Sequence, residues 1–191
     1  MTQRRLIVFD MDGVIVNVAR SYRETVRKAA GLFFAGAHAW QTLPDPLFTL
    51  EDLGKVKQSG GLNNDWDLTC CVIELLCRRV KQSDAATGPG GVGEPWNRYR
   101  SALSGCDVSE LASFLSRKRQ PLTLLLEETG KVENPFVRSF YAGNVGSGNI
   151  IKQIFQEIYL GRNLFRSTYG IRPEIYSGPG LIDNETLLLP S

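Results

Sequence analysis

Four apolar residues, Leu6-Ile7-Val8-Phe9, stand near the start of the chain between Arg4-Arg5 and Asp10. Apolar positions without alternation predict a short strand buried on both faces, as in the middle of a parallel sheet. Beyond it the period changes. Val18, Tyr22, Val26 and Ala29 recur at helical spacing and predict a helix over 18–30, with Asn17 as its N-cap. Leu68, Val72, Leu75, Leu76 and Val80 form the buried stripe of a helix predicted over 66–81, which the loop Gly60-Gly61-Leu62-Asn63-Asn64-Asp65 introduces. Shorter helices are predicted over 49–57, 109–118, 120–129 and 149–160, and no second strand matches the quality of the first.

Proline and glycine punctuate this pattern. Pro44-Asp45-Pro46 predicts a turn, and residues 83–95, dense in Gly and Pro and without periodicity, predict a flexible loop. Gly143-Asn144-Val145-Gly146-Ser147-Gly148 has the look of a phosphate cradle. It lacks the Gly-Lys-Ser/Thr ending and a preceding strand, so it reads as a mobile connection.

The strand at 6–9 ends in two carboxylates, Asp10 and Asp12, followed by Gly13. Residues two apart on a strand point to the same face, and the carboxyl edge of a parallel sheet is where open α/β folds bind ligands. Two close carboxylates repel, which invites a cation between them or raises one pKa. A hard cation bound through one or two carboxylates plus a substrate phosphate is Mg²⁺. An ordinary solvated Asp-x-Asp-Gly turn accounts equally for the spacing taken alone.

The whole string Phe9-Asp10-Met11-Asp12-Gly13-Val14-Ile15-Val16 resembles the first motif of the haloacid dehalogenase superfamily of phosphatases and related enzymes. The resemblance implies an α/β, Rossmann-like core with a large, mainly helical cap inserted after the first strand. It implies that Asp10 is the nucleophile that forms an aspartyl-phosphate and that Asp12 is the acid/base. It further implies that Mg²⁺ touches the Asp10 carboxylate and the Asp12 carbonyl. An acid at the second position favours phosphoryl transfer over dehalogenation. Many relatives carry Asp where this chain has Asn17, a change that leaves the capping chemistry intact. Ser21-Tyr22-Arg23, together with Gly60-Gly61-Leu62-Asn63-Asn64-Asp65-Trp66, is similar to a subgroup near the phosphoglycolate phosphatases.

On this reading residues 1–17 form the first core strand and catalytic loop, 18–176 the cap, and 177–191 the start of a return linker. The substrate is a small phosphorylated metabolite. Its binding residues are Gly13 in the catalytic loop and, for an anionic group, Arg20 and Arg23, three apart and neighbours on a helix. Arg20 and Arg23 read more readily as surface arginines of an amphipathic helix.

The superfamily's later motifs, a Ser or Thr at a second strand end, a Lys and an acidic pair, are not found in order after the cap. The expectation is therefore an N-terminal portion of a larger enzyme, weak or inactive alone, completed by a missing core or a partner chain. The alternative is a non-catalytic helical module that associates with a partner.

Composition adds boundaries. The 22 basic and 20 acidic residues leave a net charge of +2, with no basic stripe interleaved with aromatics, which argues against a nucleic-acid binder. Arg78-Arg79 and Arg117-Lys118-Arg119 read as solvated helix ends. No apolar run is long enough for a membrane helix, and Asp10 interrupts the N-terminal run too soon for a secretory leader, so the expected location is cytoplasmic. The four cysteines have neither disulfide density nor Cys-x-x-Cys spacing, and the three on one predicted helix, Cys70, Cys71 and Cys77, read as small core residues. The single histidine, His38, has no Cys or second His near it, against a zinc site or a Ser-His-Asp triad.

Overall fold

The computed structural model describes residues 15–18, 20–60, 62, 64–82, 94–130 and 133–188. The strand expected at 6–9, and with it Asp10, Asp12 and Gly13, lies outside them, as does most of the loop expected at 83–95. What is described is mainly α-helical. Eight helices run in the order α1 (Tyr22–Leu32), α2 (Leu50–Gly60), α3 (Asp65–Leu76), α4 (Pro95–Ser104), α5 (Ser109–Arg117), α6 (Pro121–Thr129), α7 (Pro135–Arg138) and α8 (Ile150–Tyr169). Two antiparallel pairs of two-residue strands accompany them: β1 (Val16–Asn17) with β4 (Thr186–Leu187), and β2 (Lys81–Gln82) with β3 (Cys106–Asp107).

One continuous apolar core runs through the helices. α1 and α3 pack on each other, α8 packs on both, and α2 covers α6. The contact stripe of α1 is Val26, Ala29 and Ala30, that of α3 Leu68, Val72, Leu75 and Leu76, and that of α8 Ile151, Ile154, Phe155 and Ile158. Phe33, just past α1, is the hub of an aromatic cluster with Phe34, Tyr99, Phe136 and Phe140, ring centroids 5.3–6.5 Å apart. The buried Tyr99 hydroxyl donates to the Phe33 carbonyl at 2.7 Å, so its polar end is satisfied inside the core.

Three buried carboxylates tie distant segments together. Asp52 on α2 accepts from the Leu122 and Thr123 amides and the Thr123 hydroxyl, serving as an N-terminal anion for α6. Glu74 on α3 accepts from the Asn134 amide and, at two oxygens, from the Arg138 guanidinium of α7. Glu157 on α8 accepts from three successive amides, Glu174, Ile175 and Tyr176, and from the Gln153 side chain. Full hydrogen bonding is what makes a buried carboxylate tolerable.

Several sequence expectations need correction. The first helix begins at Tyr22 rather than 18, and Asn17 is not its cap: Asn17 pairs with Thr186 in β1–β4, a partner no local pattern discloses. The helix expected over 66–81 ends at Leu76 and tightens into a 3₁₀ turn, Cys77–Arg79, before β2. The helix expected over 149–160 continues to Tyr169 across a break at Gly161, whose φ of 68° and ψ of 171° are not helical. Pro95, read as the end of a loop, is the first residue of α4, where its missing N–H costs nothing. The turn at 143–148 is tied down: Asn149 donates to the Tyr141 and Gly143 carbonyls, and Gly146 donates to Gln153. Arg79 is not simply solvated, since its guanidinium pairs with Glu128 at 2.6 Å and lies over Phe114.

Candidate functional site

Among the described residues, the part nearest in sequence to Asp10, Asp12 and Gly13 is a neck where residues 15–23 meet 181–188. β1 and β4 pair with Val16 opposite Leu187, and the Leu188 amide extends the ladder to the Ile15 carbonyl at 2.8 Å. The two ends of the helical body therefore emerge side by side.

The start of α1 is fixed firmly. Ser21 and Thr25 are fully buried; the Ser21 hydroxyl donates to the Val18 carbonyl and the Thr25 hydroxyl to the Ser21 carbonyl. Tyr22 stacks on Tyr159 of α8, ring centroids 4.7 Å apart. The Tyr159 hydroxyl lies 3.2 Å from that of Tyr22 and donates to the Glu185 carboxylate at 2.9 Å. Burial, with the Tyr22 and Glu185 bonds, pushes the Tyr159 phenol well above its ordinary pKa. It stays a neutral donor at any physiological pH, so this triad is a clasp joining α1, α8 and the tail. Sequence reasoning missed Tyr159 and Glu185, because Tyr159 is 137 residues from Tyr22 and no motif marks it.

Arg20 and Arg23 both lie on the surface at this neck. Neither forms an ion pair with another described residue. Arg20 lies in the turn before α1 and Arg23 in its first turn.

Among the described residues no group of three or more His, Cys, Asp and Glu side chains is arranged to hold a metal. The donors expected from the resemblance, the Asp10 carboxylate and the Asp12 carbonyl, lie outside the described residues; both are hard oxygens, the donor chemistry that Mg²⁺ takes. His38 sits away from the neck, exposed, with Nδ1 3.3 Å from Asp107. Bonds from the Ser109 hydroxyl and amide, and then from His38, hold the Asp107 carboxyl down at about 2. The thiols are quiet. Burial pushes Cys70 up to about 12 and Cys106 to about 11, and Cys77 well above its usual range.

No helix among the described residues is long and apolar enough to cross a membrane. No family model, curated protein or solved structure matches the chain.

Proposed function

We propose that Asp10 and Asp12 serve a Mg²⁺-dependent phosphoric monoester hydrolase of the haloacid dehalogenase type, acting on a small phosphorylated metabolite, with the helical body as its cap. The observation that carries this reading is the string Phe9-Asp10-Met11-Asp12-Gly13-Val14 at the end of an apolar run. The neck supports it. A body inserted after the first strand of a core must return its chain beside the point of departure, and β1–β4 is such a return. Arg20 and Arg23 supply cationic groups for the substrate, and Gly13 a backbone that a phosphate can approach closely.

In this scheme an Asp10 oxygen attacks phosphorus and the bond from phosphorus to the ester oxygen breaks, while Asp12 gives its proton to the departing oxygen. Asp12 then takes a proton from water, whose oxygen attacks phosphorus, releasing phosphate and restoring Asp10. Splitting the transfer into two steps is the gain from a carboxylate nucleophile. Mg²⁺, when bound, offsets charge on the phosphoryl oxygens.

The test is turnover of p-nitrophenyl phosphate with Mg²⁺, together with mass spectrometry of acid-quenched protein after incubation with acetyl phosphate. Wild type should be phosphorylated at Asp10 and turn over slowly, in keeping with the weak activity expected of this chain alone. Asp10→Asn should abolish both, and Asp12→Ala should slow both formation and loss of the phosphoryl group. Near wild-type turnover in Asp10→Asn sinks the assignment. A wild-type chain that neither turns over nor is phosphorylated would favour a non-catalytic helical module that binds a partner chain, a reading that the exposed Leu187 and Leu188 support.

A further inference from the structure

The helical body has a cavity that the phosphatase reading does not use. It lies between α1 and the segment 40–47, closed at one side by Tyr176, with a volume of about 350 Å³. Its walls are apolar, made by Leu32, Leu43 and Leu47 with the rings of Trp40 and Tyr176. A concave site of this size with aromatic walls and a few polar groups is the usual form of a small-molecule pocket.

Two features keep it open and rigid. Gly31 lines it from the last turn of α1, where alanine would serve the helix better by about 1 kcal/mol. A Cβ there would meet Leu47 Cδ1 at 3.3 Å, so a larger side chain would grow into the cavity. Trp40 is held on the opposite lip, 37% exposed, by a backbone that is pinned just before it. His38 donates to the Cys106 carbonyl and accepts from the Val108 amide, and Ala39 then turns left-handed at φ 62°. A left-handed alanine is uncommon and persists only where its surroundings impose it.

Four charged side chains line the cavity, Glu24, Arg27, Lys28 and Asp45, and their placement decides where an anionic group would sit. Arg27 and Lys28 stand four and three residues before Gly31, on the same face of α1 and so on either side of the gap. Arg27 is already engaged by Glu24 and the Phe48 carbonyl. Lys28 is exposed and has no ion pair with another described residue. Arg23, one turn earlier, continues the cationic side toward the neck. Asp45 is the single opposing charge without a described ion pair, and it comes from the far wall, exposed.

We propose that this cavity binds a planar aromatic anion, its ring between Trp40 and the leucine wall and its carboxylate or similar group at Lys28. The site is independent of Asp10 and Asp12. Naphthoate and naphthylmethylamine, one ring system with opposite charges, test it by titration calorimetry on the full chain. Naphthoate should bind one to one and more tightly than the amine. Trp40→Ala and Gly31→Leu should each weaken naphthoate by about tenfold, the loss of one aromatic or shape contact. Lys28→Glu should weaken it by about threefold, as befits an exposed ion pair, while Asp45→Asn should not weaken it. Circular dichroism checks that Gly31→Leu folds, and Trp40→Ala, at an exposed position, carries the test if it does not. Absence of naphthoate binding, wild-type affinity in Trp40→Ala, or tighter binding of the amine would each overturn the proposal.

Discussion

Around Glu157 a fully buried carboxylate gathers three amides and a side-chain amide, and the apolar core of α1, α3 and α8 closes over it. At the neck, the two strands have two residues each, with Leu187 at 73% and Leu188 at 49% exposure, and a stacked tyrosine pair adds anchoring. In the body, the buried carboxylates Asp52, Glu74 and Glu157 are satisfied inside and cannot be changed singly without cost. In the neck they border water, which can replace a lost partner. The difference teaches that the helical body carries its own stability, whereas the neck is the part whose order is cheapest to alter.

The largest expected effect tests the body. Glu157→Ala leaves three aligned amides without an acceptor in a buried site and should lower stability by about 4 kcal/mol. A urea melt should show the midpoint falling with little change in slope. A loss below about 1 kcal/mol would mean that water reaches these amides, and the contrast with the neck would fail.

A smaller effect is expected at the neck. Tyr159→Phe keeps the ring stack and removes the hydroxyl that reaches Tyr22 and Glu185, so the loss should be about 1 kcal/mol. Hydrogen exchange should quicken at residues 16–18 and 186–188 and stay unchanged in α3. Equal acceleration in α3 would show that neck and body open together.

The smallest effect is acid-dependent. Asp107 titrates at about 2 in the folded chain against 3.8 when free, because Ser109 and His38 favour its charged form. A depressed carboxylate adds stability above its unfolded pKa and loses it as pH falls through the folded value. The contribution should therefore disappear between pH 3.8 and about 2, and Asp107→Asn should flatten that part of the stability profile. An unaltered profile in the variant would remove Asp107 from the account.

Much of the body was legible before folding was considered. The stripes of α3, α5 and α6 are regular, and Asn64 caps α3 through the Trp66 amide where a loop-to-helix boundary was expected. α4 and α7 were not, because each begins with a proline that reads as loop when nothing beyond the helix is known. Nor were the buried carboxylates. Asp52 and its acceptor role at Leu122 are separated by 70 residues, and only the packed α2–α6 contact gives the charge its meaning. At the candidate site the contrast is sharper still: Asp10 and Asp12 are marked by their neighbours in sequence, whereas Tyr159 and Glu185 are marked only by the fold.

The break in α8 has a consequence for ancestry. Gly161 and Gly180 cross so closely that a Cβ on the first would lie 2.2 Å from the Gly180 nitrogen, and one on the second 2.4 Å from the Leu160 carbonyl. Neither backbone can yield without the other, so the two positions must be kept, or abandoned, as one. In a diverging lineage this paired glycine would outlast the apolar stripes around it, which tolerate exchange among residues of similar volume. A distant relative of this body should therefore announce itself by two glycines, one breaking a long helix and one in the tail that crosses it.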